Sequence, residues 1–326
     1  MNKLPIIVVL TNDAGATEYL AHLVIQEYHQ ANWRLFCLKE SPASKIFQNL
    51  NLDYTLLDNM QDFNNISKCD LIIYGTGWQV EFGKIVEKIS SKYEIKSMAL
   101  IDHWVNYKER FSCGFLPDYI ITMDDIAFNL AHDIFSSDVK IIQLKNYFLE
   151  DIVSSFKLLK NKNSDFVVFI SEPTSIVAKN NLGDSFAYGF TEYSVFSDLL
   201  KKFDEIIVRL HPADSLNKYS NLIEKYPNKN IVVVNPYQES LIETLSKSKL
   251  TIGFDGMALF ISYFLRINTI SYMPNSSRKL TIPIPKKYLI DNLLDLDTIS
   301  FDNDVDIDLN KNSISFSSII KKILKD

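Results

Sequence analysis

Short apolar runs alternate with amphipathic stretches along most of the chain. Residues 5–10 (PIIVVL) form a continuous apolar run of buried-strand type. Residues 16–30 follow at helical spacing, with Leu20, Leu23, Val24 and Tyr28 on one face. The pattern predicts further strands at 34–38, 54–57, 70–74, 97–101, 119–122 and 139–144. Helices are predicted from Ser41-Pro42, over 80–90 and from Asp124, with serine at a cap and proline in the first turn of one of them. After a connecting helix over 146–163 the pattern restarts. Strands are predicted at 166–170, 206–210, 231–234, 251–254 and 269–272, with helices between, including one over 193–203. Strands alternating with helices mean βαβ units and mainly parallel sheets. A loop is expected at 181–184, an irregular acidic stretch at 302–308 and a last amphipathic helix over 313–325.

The polar run Lys160-Asn161-Lys162-Asn163-Ser164 marks a domain boundary. A chain of 326 residues is also long for one core. The expected fold class is therefore α/β, with two Rossmann-like domains whose parallel sheets face a central cleft. Residues 1–150 form the N-terminal domain and 151–326 the C-terminal one, with the final helix able to pack back on the first. No tandem repeat of 20–50 residues is expected from the sequence.

Composition narrows the function. The formal charge of -6 argues against a nucleic-acid partner, which calls for a basic face. Cys37, Cys69 and Cys113 are scattered and show no CxxC spacing, so a reducing compartment fits and a zinc site does not. The start shows no cleavable leader, and no apolar run reaches the about 20 residues of a membrane span. A cytoplasmic protein is expected. The final helix leaves peripheral attachment at the inner face of a membrane open, because Lys321, Lys322 and Lys325 border Ile319, Ile320, Ile323 and Leu324.

Candidate chemistry centres on residues 205–214 (EIIVRLHPAD). Ile206, Ile207 and Val208 form a buried strand, and Pro212 ends it while stiffening His211. In open α/β sheets ligands bind outside such strand ends. Three more polar loops share that rim: Ser171-Glu172-Pro173, Asn235-Pro236-Tyr237 and Gly253-Phe254-Asp255-Gly256-Met257. The last runs into an apolar helix whose free amides suit a phosphate. Asp255 is equally suited to cap that helix. Ser171, Glu172, Glu192, Arg209, His211, Pro212, Asp255, Gly256 and Met257 are the expected nucleotide-binding set.

In the N-terminal half, Asn12-Asp13-Ala14-Gly15, Gly75-Thr76-Gly77-Trp78 and residues 102–111 (DHWVNYKERF) follow predicted strands. The last is the densest run of functional groups. Asp13, or Asp102 with His103, is the expected base, beside His211 on the phosphate. Gly15, Trp78, Trp104, Asn106, Tyr107 and Arg110 are the expected acceptor side, with Trp104 and Tyr107 stacking on sugar rings. Trp104 and Phe111 also fit a packed core. No metal-ligand spacing is present.

A strand ending in His211-Pro212 in the second half resembles the His-Pro motif of bacterial sialyltransferases. It is also similar to that of capsule and lipopolysaccharide transferases for Kdo and related sugars. The resemblance implies the GT-B fold with a CMP-sugar in the C-terminal domain. His211 would then contact the donor phosphate and Pro212 would belong to the nucleotide pocket. Asn12-Asp13-Ala14-Gly15 matches the acidic N-terminal motif of those enzymes in part, which makes Asp13 the general base. Asp255-Gly256 stands where they carry a serine/threonine phosphate motif. Residues 102–111 resemble a segment of uncharacterised proteins from bacterial surface-polysaccharide loci.

The expectation is a metal-independent glycosyltransferase with no cofactor beyond its nucleotide-sugar co-substrate. Its partners would be that donor and a glycan or glycolipid acceptor. A CDP-polyol phosphotransferase and a sugar-nucleotide 2-epimerase share the plan, as does a non-catalytic sugar- or nucleotide-binding protein. An epimerase needs no acceptor and liberates UDP from UDP-N-acetylglucosamine alone.

Overall fold

The computed structural model describes residues 3–59, 62, 66, 68–77, 82–135, 139–159, 165–302 and 313–324. The expected boundary run 160–164 and Trp78 lie outside them. Two compact units are present, one of residues 1–151 with 307–326 and one of residues 152–306.

The first unit alternates strands and helices in chain order: β1 (Ile6–Leu10), α1 (Ala14–Gln26), β2 (Asn32–Leu38), α2 (Pro42–Asn49), β3 (Tyr54–Leu57), β4 (Leu71–Gly75), α3 (Phe82–Tyr93), β5 (Lys96–Ile101), β6 (Tyr119–Thr122), α4 (Asp125–Ile134) and β7 (Lys140–Leu144). With β14 (Ser313–Ile314) at one edge, its sheet runs β14-β7-β6-β5-β4-β1-β2-β3, every pair parallel. Strands covered on both faces must be apolar throughout, which is why IIVVL, LIIYG and YIIT lack alternation. Ser41 caps α2 through the Ser44 amide, and Asp124 caps α4 through the Ala127 amide.

α5 (Tyr147–Leu159) links the units in sequence. The second unit continues with β8 (Phe166–Ile170), α6 (Thr174–Leu182), α7 (Glu192–Lys202), β9 (Glu205–Arg209), α8 (Ser220–Ile223), β10 (Asn230–Val234), α9 (Leu241–Ser246), β11 (Ser248–Gly253), α10 (Met257–Phe264), β12 (Thr269–Tyr272) and β13 (Leu289–Ile290). Its sheet order is β10-β9-β8-β11-β12-β13, again all parallel. Phe169, Phe190, Phe196 and Phe254 fill the core behind β8 and β11.

β14 (Ser313–Ile314) and α11 (Phe316–Ile323) return to the first unit, where β14 pairs with β7 and Phe316 stacks on Trp33. α11 buries Phe316, Ile319, Ile320 and Ile323, each worth about 1.5–3 kcal/mol of transfer free energy. The apolar face of α11 is therefore occupied by packing within the first unit. Among the described residues no helix is long and apolar enough to cross a membrane.

Candidate active site

Each sheet reverses its strand order once. In the first unit β1 lies between β2 and β4, and in the second β8 lies between β9 and β11. Successive crossovers leave in opposite directions at such a switch point, so the loops part and open a crevice at the strand ends. The candidate residues collect there. Thr11-Asn12-Asp13 follows β1 and Thr76-Gly77 follows β4, while Ser171-Glu172 follows β8 and Phe254-Asp255-Gly256 follows β11.

In the first unit Asp13 is the extended N-cap of α1, yet its carboxylate caps nothing. It lies instead against Gly77, where any Cβ would collide with it. Asp102, one residue past β5, lies against Gly15 in the same way and pairs with Arg110 Nη1 at 2.8 Å. Arg110 is fixed from behind: Nη1 donates to the Thr76 carbonyl at 2.9 Å and Nε to the Val105 carbonyl at 3.3 Å. Arg110 thus pairs with Asp102, and its charge also acts on Asp13. Burial pushes the Asp13 carboxyl above its ordinary value, and the neighbouring Asp102 charge adds to this, partly offset by Arg110. Asp13 therefore keeps a proton to higher pH than a free aspartate. Beside it, Asn12 is 7% exposed, and its Oδ1 has no hydrogen-bond partner among the described residues.

Other residues expected on this side have structural duties. Trp104 is buried and donates Nε1–H to Asp124 at 2.9 Å, and Tyr107 is buried with its hydroxyl on the Ala127 carbonyl at 3.3 Å. Neither ring is open for stacking on a sugar. Arg110 braces Asp102 rather than reaching outward. Asn106 is exposed with φ +60°, the left-handed turn that carries the chain into the 109–111 helical turn. His103 stands between Asp102 and Trp104, its ring edge-on to the indole at 5.4 Å.

In the second unit Ser171 and Glu172 join two clusters. Ser171 Oγ donates to Asp214 Oδ2 at 2.8 Å and lies 2.7 Å from the Tyr219 hydroxyl. Asp214 Oδ2 also accepts the His211 amide at 3.0 Å, and the Asp214 amide donates to the His211 carbonyl at 2.8 Å. His211 Nδ1 accepts the Ala213 amide at 3.1 Å, which leaves Nε2 to carry the ring proton. Burial lowers the His211 pKa, so the ring is neutral near pH 7.

Glu172 points the other way. Its Oε1 accepts the Asp255 amide at 3.2 Å, and it also bonds the Gly256 amide at the start of α10. The helix tip expected to lie open to phosphate is thus covered by a side-chain carboxyl. Burial is the main reason its pKa is pushed up to about 7, against the amides and Arg278. Asp255 does not cap α10 either. Gly256 is the N-cap, and Asp255 holds the 278–282 loop by accepting the Thr281 amide at 2.7 Å and the Ile282 amide at 3.1 Å. Met257 is the first residue of the helix.

Two further residues expected to bind nucleotide face inward. Glu192 is fully buried, accepting the Ser175 amide at 2.8 Å and pairing with Lys218 at 3.2 Å. Arg209 donates to the Glu239 carbonyl and to Thr244 Oγ1, both at 2.9 Å, and so fixes the 235–240 loop. Pro212 stays at the surface, its carbonyl accepting the Tyr237 hydroxyl at 3.2 Å. Sequence reasoning missed Lys218 and Arg278. Arg278 gives no signal in its Ser276-Ser277-Arg278-Lys279 loop, whereas Lys218 stands four residues after Asp214, a helical ion-pair spacing.

The fold of the chain recurs in solved structures. Over 98% of this chain and 100% of the other, it superimposes on UDP-GlcNAc 2-epimerase from Neisseria meningitidis bound to UDP-GlcNAc, with TM-score 0.64 and 12% identity. The fold is GT-B. UDP-N-acetylglucosamine 2-epimerase from Rickettsia bellii matches this GT-B chain over 99% of its length and 96% of the other, with TM-score 0.62 and 12% identity. MurG from Acinetobacter baumannii matches over 85% and 80%, with TM-score 0.50 and 10% identity. No family profile and no curated protein matches the sequence. These GT-B neighbours are epimerases and a MurG enzyme, and they lend no support to the narrower likeness to sialyl- and Kdo-transferases.

Proposed function

We propose that this GT-B chain is an enzyme acting on a UDP-sugar without an acceptor, by a 2-epimerase type of reaction. C2 of a hexosamine has no adjacent carbonyl to acidify its proton. That proton leaves readily only if the C1–O bond to the diphosphate breaks with it. The chemistry needs a base, an acid for return of the proton and a donor toward the departing diphosphate. Asp13 and Asp102 suit the proton-handling roles, with His103 next to them. His211 Nε2–H suits the diphosphate. Ser171 and Glu172 line the same strand ends as His211, and no metal is required by this scheme.

The observation that carries the proposal is the Asp102–Arg110 ion pair after β5, set beside the half-buried Asp13 after β1. Burial and the neighbouring Asp102 charge push the Asp13 carboxyl above its ordinary value, which suits it to proton transfer. The end-to-end match to an epimerase bound to UDP-GlcNAc supports the choice of substrate class. The MurG likeness favours a second reading, sugar transfer from a nucleotide donor to a glycan acceptor with Asp13 as base. Incubation with UDP-GlcNAc alone separates them. Formation of the 2-epimer or release of UDP supports the first reading. Release that depends on an added acceptor supports the second, and no binding of any UDP-, CMP-, GDP- or dTDP-sugar by folded protein removes both.

A further inference from the structure

Behind His211 lies a closed polar network that the proposed chemistry does not use. Lys218 is its hub, with a side chain 5% exposed beside Asp214 at 2% and Glu192 at 0%. Its Nζ reaches Asp214 Oδ1 at 2.8 Å, Glu192 Oε1 at 3.2 Å and Ser171 Oγ at 3.2 Å. The same ammonium lies over the rings of Tyr193 and Tyr219, at 5.7 and 5.4 Å. A buried cation with two carboxylates and two aromatic faces has one geometry, because each alternative strands a charge. Asp214 transmits that geometry outward. One carboxylate oxygen faces Lys218, while the other receives the His211 amide and the Ser171 hydroxyl.

We propose that Asp214, fixed by Lys218, is the positioning residue of His211: it closes the 211–214 turn that brings the Ala213 amide onto Nδ1 and so reserves the ring proton for Nε2. The donor direction of the histidine is then set by a buried ion pair that never meets the ligand. This rests on the reading of His211 as the group facing the diphosphate, although the tautomer itself does not depend on that reading.

The test uses the full chain labelled with 15N-histidine, UDP-GlcNAc as substrate, and the His211→Ala spectrum to assign the ring signal. Wild type should show Nε2–H alone at pH 8. Asp214→Ala should give a mixture of tautomers and lower kcat about tenfold or more, with KM within about threefold. Asp214→Asn keeps a carbonyl oxygen for the His211 amide and should recover most of both, and it remains available if the alanine variant does not fold. In the His211→Ala background, Asp214→Ala should lower kcat by less than about twofold more, since neighbours acting through one group are not additive. An unchanged tautomer in Asp214→Ala, or losses that multiply in the double variant, overturns the proposal. A wild type without turnover of UDP-GlcNAc but with the predicted tautomer change removes the substrate reading and leaves the positioning role standing.

Discussion

At the scale of single residues, His211, Asp13 and Glu172 bear different proton burdens. His211 gives up its charge to burial and keeps one directed N–H. His211→Ala should reduce turnover at least tenfold, equivalent to about 1.4 kcal/mol of barrier, and unchanged steady-state kinetics would remove it from the reaction. Asp13 is held toward its acid form. Asp13→Asn keeps its shape and removes the proton exchange, so kcat should drop by about a hundredfold or more while the thermal midpoint stays near wild type. Glu172 has the clearest effect on stability. Its pKa rises from 4.5 in the unfolded chain to about 7 in the folded protein. Between those values the unfolded chain has already released a proton that the folded protein retains. Its contribution to stability is therefore full below pH 4.5 and is lost as pH rises toward 7. Glu172→Gln removes that loss, so its stability relative to wild type should grow from pH 4.5 to 7 in urea denaturation. A constant difference over that window contradicts the assignment.

At the scale of elements, the apolar runs determine most of what forms. Tyr119–Thr122, Phe166–Ile170 and Thr269–Tyr272 have the bounds that their apolar runs predict. The two-residue strands β13 and β14 escape this reading, because a strand so short has no period and exists only through its neighbour. Side-chain roles were less legible than strands. The sequence points to Trp104, Tyr107, Glu192 and Arg209 as ligand contacts. All four instead satisfy buried partners that lie 17 to 35 residues away in sequence. A single sequence shows that such groups need partners without naming them. Lys218 is the strongest case. Lys218→Met leaves Asp214 and Glu192 buried without their cation and should destabilise the fold by about 3–5 kcal/mol in chemical denaturation. A loss below about 1 kcal/mol would show that the network is solvated and cannot govern the 211–214 turn.

At the scale of the whole molecule, two parallel sheets of eight and six strands each place their candidate chemistry at a switch point. The alternation of strand and helix made the fold class readable, whereas the narrower family likeness drawn from His211-Pro212 finds no support among the structural neighbours. Strand order was not readable, because periodicity reports which segments are buried and not which segments are neighbours. The proposed reaction hinges on that order, since it brings Asp102 and Arg110 from after β5 close to Asp13 after β1. A chain built for UDP-sugars should gain about 2.7 kcal/mol of stability from UDP at a hundred times its dissociation constant, read as a thermal shift that UDP gives and CMP does not. The most direct measurement is proton NMR of UDP-GlcNAc incubated with the protein in deuterium oxide and no acceptor. Loss of the C2 proton signal, with UDP or the 2-epimer appearing, is the result expected from paired carboxyls working on a sugar whose diphosphate can depart. Full retention of that signal by folded, UDP-binding protein would contradict it.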